Sequence, residues 1–96
     1  PYDRLYRFGG EEFLFCLPDV TPEAAAQALE RLRRRIEEMQ VPIGGGRTIR
    51  VTCSFGIASL SGETPVKTAM QRADKALYAA KEAGRNRVMI WTPEIG

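Results

Sequence analysis

The sequence predicts a small single α+β domain over residues 1–96, on three observations. Two runs rich in aromatic and branched residues, Arg4 to Phe8 and Glu12 to Leu17, flank the paired glycines Gly9-Gly10, which read as the reversal of a hairpin. Two later stretches carry apolar residues at helical spacing, each introduced by Thr-Pro. Strand-like segments follow each of them. The order β-β-α-β-α-β is what remains of a ferredoxin-like β-α-β-β-α-β plan, an antiparallel sheet with packed helices, once its first strand and helix are removed.

Taken in order, the unbroken run Phe13-Leu14-Phe15-Cys16-Leu17 suggests cover on both faces, so the second strand should lie centrally. Pro18-Asp19 stops it. Thr21-Pro22-Glu23 then reads as N-cap, proline at the first helical position and an acid in the first turn. Ala25, Ala28, Leu29, Leu32, Ile36 and Met39 recur on one face of that helix, which should pack on the sheet. The charges opposite, Glu30, Arg31, Arg33, Arg34, Glu37 and Glu38, read as a solvated surface with i,i+4 ion pairs. Val41 to Arg47 reads as a loop, with Gly44-Gly45-Gly46 as a flexible turn. A phosphate loop is excluded there, because a strand rather than a helix N-terminus follows.

Ile49, Val51, Cys53, Phe55 and Ile57 alternate with Arg50, Thr52, Ser54, Gly56 and Ala58, predicting one long strand with an apolar face and a face of small residues. Thr64-Pro65 repeats the N-cap and proline device and launches a helix with Val66, Ala69, Ala73, Ala76, Leu77 and Ala80 along one side. Gly84 should end it as a C′ residue, and Val88 to Trp91 forms the last strand.

With 44% hydrophobic residues the chain can bury one modest core, and its composition is not that of a disordered segment. Net charge is only +2, although arginine supplies eleven of the fourteen basic residues. That bias fits a GC-rich genome or plain surface charge as well as phosphate and guanine recognition, and it does not argue for a nucleic-acid polymer as partner. Cys16 and Cys53 lie in apolar runs, and the chain has no His, which sets aside zinc and redox chemistry. No apolar stretch approaches the roughly 20 residues of a membrane span and no secretory leader is evident, so a cytoplasmic domain is expected, from a parent that is multidomain or membrane-anchored.

The chemistry-bearing stretch is Arg7-Phe8-Gly9-Gly10-Glu11-Glu12-Phe13. Glycine has no Cβ, so a phosphate or sugar can lie against the turn, while Glu11 and Glu12 offer hard oxygen ligands for Mg²⁺ beside it. From spacing alone, a Gly-Gly turn followed by solvated glutamates fits equally well.

Gly9-Gly10-Glu11-Glu12-Phe13 with the preceding Arg7-Phe8 resembles the signature of the GGDEF family, the diguanylate cyclases, in the variant with Glu at the third position. Val51 to Ala58 is similar to the family's second core strand. Arg72-Ala73-Asp74-Lys75-Ala76-Leu77-Tyr78-Ala79-Ala80-Lys81 with Gly84-Arg85-Asn86 is similar to its last helix and exit. The resemblance implies a nucleotidyl-cyclase-like fold and the condensation of two GTP into cyclic di-GMP by an antiparallel homodimer. A fused sensory or regulatory domain is expected in the parent.

Under that resemblance, Glu11 is the catalytic metal ligand, Glu12 a supporting carboxylate, and Gly9 and Gly10 admit the nucleotide, with Mg²⁺ or Mn²⁺ as cofactor. Lys81 and Arg85 match residues that hold the terminal phosphates of GTP. Their position near a helix C-terminus also suits simple interaction with the helix dipole. Asp74 and Asn86 are expected to tie helix and strand ends by hydrogen bonds. Asp3 and Arg31 match part of an inhibitory site for the product, whose remaining arginine falls one position before Pro1.

The family's first core strand, with its metal aspartate and guanine-reading residues, has no counterpart in the chain. Its absence predicts two unpaired strand edges and self-association to fill the gap. A catalytically inactive module that binds cyclic di-GMP or mediates dimerisation is the alternative function.

Overall fold

A computed structural model describes residues 20–96 with their side chains and residues 4–7 and 13–16 as backbone strands. Asp3, Gly9, Gly10, Glu11 and Glu12 lie outside the described residues, as do the expected strand ends Phe8, Glu12 and Leu17. Side-chain cover on the second strand lies outside them too.

The first hairpin forms as the sequence predicts. β1 (Arg4–Arg7) pairs antiparallel with β2 (Phe13–Cys16), in a register that sets Arg7 opposite Phe13 and Arg4 opposite Cys16. α1 (Pro22–Glu38) opens with the expected cap: the Thr21 hydroxyl accepts from the Ala24 amide at 3.1 Å, and Pro22 fills the first turn. Caps of this kind are worth about 1 kcal/mol.

Two strand expectations are corrected. The segment read as a loop is a hairpin, in which β3 (Val41–Gly44) pairs antiparallel with β4 (Arg47–Ile49). Gly44, Gly45 and Gly46 all take positive φ, so the glycines make a tight reversal between two short strands, and the register shifts between Pro42 and Gly44. The long strand expected from Ile49 to Ala58 is interrupted. Ile49 ends β4, and beyond it only β5 (Phe55–Ile57) is regular, because strand structure exists where a partner exists, and β5 pairs with the three residues of β6 (Val88–Ile90). That pairing is parallel, as a β-α-β crossover requires, with Phe55 opposite Val88 and Ile57 opposite Ile90.

α2 (Val66–Glu82) forms the crossover. Its start differs from the expected Thr64 cap. Thr64 Oγ1 shares a 2.9 Å hydrogen bond with Ser61 Oγ, and Pro65 stands at the cap position with its carbonyl accepting from the Ala69 amide. Val66, expected on the packed face, is 60% exposed.

Among the described residues α1 and α2 each pack on β5 and β6 and not on each other, so the strand pair lies between two helices. The face of small residues meets α2. A Cβ at Gly56 would lie 2.3 Å from the Ala73 carbonyl oxygen and 2.3 Å from the Leu77 amide nitrogen. The helix reaches this close because Ala69, Ala76 and Ala80, all buried, present almost no side chain to the strands. Arg72 on α2 stacks 4.4 Å from the Trp91 ring centroid just past β6.

The packed face of α1 is rotated from the one expected. Ala25 is buried and Leu29, Arg33 and Ile36 are half-buried, whereas Ala28, Leu32 and Met39 are exposed. Arg33 therefore stands within the buried stripe, between Leu29 and Ile36.

Gly56→Ala should lower stability by about 3 kcal/mol, because both clashing partners are helix backbone and cannot rotate away. Thermal melting followed by circular dichroism checks this. An unchanged melting temperature would show that α2 does not approach the strand at Gly56.

Candidate functional site

α2 ends in a Schellman turn. The Gly84 amide donates to the Lys81 carbonyl at 3.3 Å and the Arg85 amide to the Ala80 carbonyl at 2.9 Å, with Gly84 at φ 119° as the expected C′ residue. The backbone does not then return to ordinary conformations. Arg85 and Asn86 continue at φ 63° and 49°, each costing on the order of 1–2 kcal/mol for a residue bearing a Cβ, somewhat less for Asn.

Asn86 is fixed from three directions. Its amide donates to Ser54 Oγ at 2.9 Å, its Oδ1 accepts from Arg33 Nη1 at 2.8 Å, and its Nδ2 donates to Glu37 Oε2. The expected structural role of Asn86 is what these bonds describe. The Asp74 side chain, by contrast, makes no hydrogen bond among the described residues.

Arg33, with a side chain 12% exposed, is the hub of the cluster. It forks onto Glu30 through Nε at 2.8 Å and Nη2 at 2.6 Å, and its Nη1 also reaches Glu37 at 3.3 Å. Arg34 adds a third contact to Glu30 at 3.0 Å. The hydrogen bond from Arg33, with that from Arg34, holds the Glu30 carboxyl at about 2, well below its ordinary value of 4.5. Glu30 in turn raises Arg33 further above its already high value.

Among the described residues, those predicted from the sequence divide between two places. Lys81, half-buried, stands in the last turn of α2, and Arg85, exposed, lies beyond the C′ glycine. Their relative placement is thus set by the Schellman turn rather than by helical i,i+4 spacing. Arg31 is exposed and, with Gln27 and Arg34, borders an open groove of about 630 Å³ whose floor includes Val88, Met89 and Ile90 of β6. Asp3, its expected companion, lies outside the described residues. Glu11 and Glu12 are hard oxygen donors of the type Mg²⁺ takes and lie outside them as well; among the described residues no three Asp, Glu, Cys or His side chains cluster.

Arg33 and Ser54 carry contacts that sequence reasoning assigned to a solvated face and a strand. One signal was available for Arg33: it stands four residues after Leu29 and three before Ile36, within the packed stripe, with acids at i−3 and i+4.

The family described as "Diguanylate cyclase, GGDEF domain" matches residues 1–87. The chain belongs to the GGDEF family. Curated GGDEF relatives include diguanylate cyclase DosC of Escherichia coli K12, 36% identical over 89 residues, covering 93% of this chain and 19% of that protein. Diguanylate cyclase DgcP of Pseudomonas aeruginosa is 43% identical over 88 residues, covering 92% of this chain and 13% of that protein. The chain thus spans less than a quarter of the length of these relatives.

Among solved structures, the GGDEF domain of DgcB from Caulobacter crescentus, determined in complex with c-di-GMP, matches with a TM-score of 0.85 at 32% identity, over 92% of this chain and 51% of that one. The active GGEEF domain of a diguanylate cyclase from Vibrio cholerae matches with a TM-score of 0.79 at 31% identity, over 96% and 58%. The α+β, nucleotidyl-cyclase-like fold expected from the sequence is the fold of these neighbours.

Acid should reveal the Glu30 cluster. A carboxylate whose folded-state value is depressed binds fewer protons folded than unfolded, so its stabilisation is present above 4.5 and is lost as pH falls through about 2. Melting temperatures across that window should drop for the native chain and drop less steeply for Glu30→Gln. Parallel curves would show that the Arg33–Glu30 pair does not form in solution.

Proposed function

We propose that this chain is the C-terminal portion of a diguanylate cyclase domain that condenses two GTP into cyclic di-GMP. The observation that carries this reading is the family match running through Gly9-Gly10-Glu11-Glu12-Phe13, in the GGEEF form that the active Vibrio cholerae domain also bears. Two copies meet antiparallel, each with one nucleotide. The 3′-hydroxyl of each GTP attacks the α-phosphorus of the other, a phosphodiester bond forms, and pyrophosphate leaves.

Glu11 takes the proton from the attacking hydroxyl and, with Glu12, holds Mg²⁺ or Mn²⁺. Bound there, the ion would offset charge on the phosphate oxygens. Gly9 and Gly10 leave room for the nucleotide to lie against the chain, and Lys81 and Arg85 hold its terminal phosphates. Asp3 and Arg31 contribute to a second site at which the product restrains the enzyme. The neighbour DgcB in complex with c-di-GMP supports product recognition within this family. A domain that consumes GTP works in the cytoplasm, and in the parent it is joined to a sensory or regulatory domain.

The protein carrying this chain, incubated with GTP and Mg²⁺, should yield cyclic di-GMP and pyrophosphate, resolved by chromatography. Glu11→Ala should cut that rate by about a hundredfold or more. Undiminished turnover in the variant would remove Glu11 from the chemistry. Binding of cyclic di-GMP by calorimetry with no turnover would instead make the domain a receptor.

A further inference from the structure

We propose that Arg33 is a positioning residue for the phosphate-binding end of the site: by gripping Asn86, it holds the left-handed exit of α2 in the conformation that presents Arg85 to the terminal phosphates of a nucleoside triphosphate. This rests on the phosphate role of Arg85 proposed above.

Three consecutive residues with positive φ, two of them not glycine, are a costly way to leave a helix. The Gly84 and Arg85 amides complete the helix end, but that turn requires positive φ only at Gly84, so the positive φ of Arg85 and Asn86 serves something other than capping. They persist because Asn86 is held by Ser54, Arg33 and Glu37. Arg85, between the capped helix and this clamp, has both its backbone neighbours fixed. Its carbonyl accepts from Arg87 Nε at 3.0 Å, while its own exposed guanidinium makes no hydrogen bond or ion pair among the described residues. An uncommitted cation on a rigid, strained backbone is suited to meeting an anion with little loss of freedom on binding.

Arg33 does not meet the anion itself. Its Nε and Nη2 are committed to Glu30, and its Nη1 to Asn86 and Glu37. Any effect it has on the nucleotide passes through Asn86. Glu30 and Glu37 keep the guanidinium aimed, and their four-residue register with Arg33 and Arg34 depends on α1 staying helical.

Calorimetric titration of the protein with Mg²⁺-GTP and with Mg²⁺-GMP separates phosphate contacts from the rest of the nucleotide. Arg33→Met should weaken GTP binding by on the order of tenfold and leave GMP binding unchanged. In an Arg85→Ala background the same substitution should have no further effect on GTP, because its route to the phosphate is gone. Asn86→Gly keeps a backbone able to take positive φ while removing the side-chain bonds to Arg33 and Glu37, and should reproduce the Arg33→Met loss even if Arg33→Met folds poorly.

Equal weakening of GTP and GMP, or a further loss of GTP affinity in the Arg85→Ala background, overturns the positioning role and leaves Arg33 as a general support of the fold. If Arg85→Ala itself leaves GTP affinity unchanged, the phosphate role of Arg85 is wrong and the proposal falls with it, a result distinct from failure of the clamp alone.

Discussion

The described part of this domain depends on how closely α2 lies against β5. Gly56 removes a side chain that would hold the helix off, and the buried alanines of α2 do the same from the other side. A helix seated on backbone rather than on long side chains has little freedom to slide. Its C-terminal turn therefore arrives at a fixed place beside β6, and the residues that follow Gly84 are held there by contacts from both α1 and the lead-in to β5. A cation at position 85 inherits that rigidity.

What could be read from the sequence was local. Thr21-Pro22 announces the start of α1 because the cap, the proline and the first turn are all within four residues, and Gly84 announces the end of α2 for the same reason. The same dipeptide failed at Thr64-Pro65. There a competing hydroxyl, Ser61, takes the threonine side chain that would have capped the helix. The β5 region shows the other limit: alternation marks residues able to form a strand, but the length of a strand is a property of the pair, and β6 offers β5 only three residues.

The candidate site was legible in a different sense. Gly9-Gly10-Glu11-Glu12-Phe13 carries its meaning in residue types, and the family match bears the resemblance out, while those residues lie outside the described structure. Arg33 shows what residue types cannot reveal. A charged side chain on a charged helix reads as solvated, and its partner Asn86 stands 53 residues away. Only the packing of α1 against the turn before β6 turns that arginine from a surface charge into a clamp, and only then does the strained backbone at Arg85 and Asn86 have a cause.

In the proposed site, one bound nucleotide would join a glycine corner with its adjacent acid at one end of the chain to a held cation at the other. The direct measurement is a crystal structure of the protein with Mg²⁺ and a GTP analogue that cannot react. The Glu11 carboxylate should lie on the cation, with Lys81 and Arg85 on the terminal phosphates. A nucleotide bound with its cation held by other groups and both basic side chains turned away from the phosphates would contradict this placement.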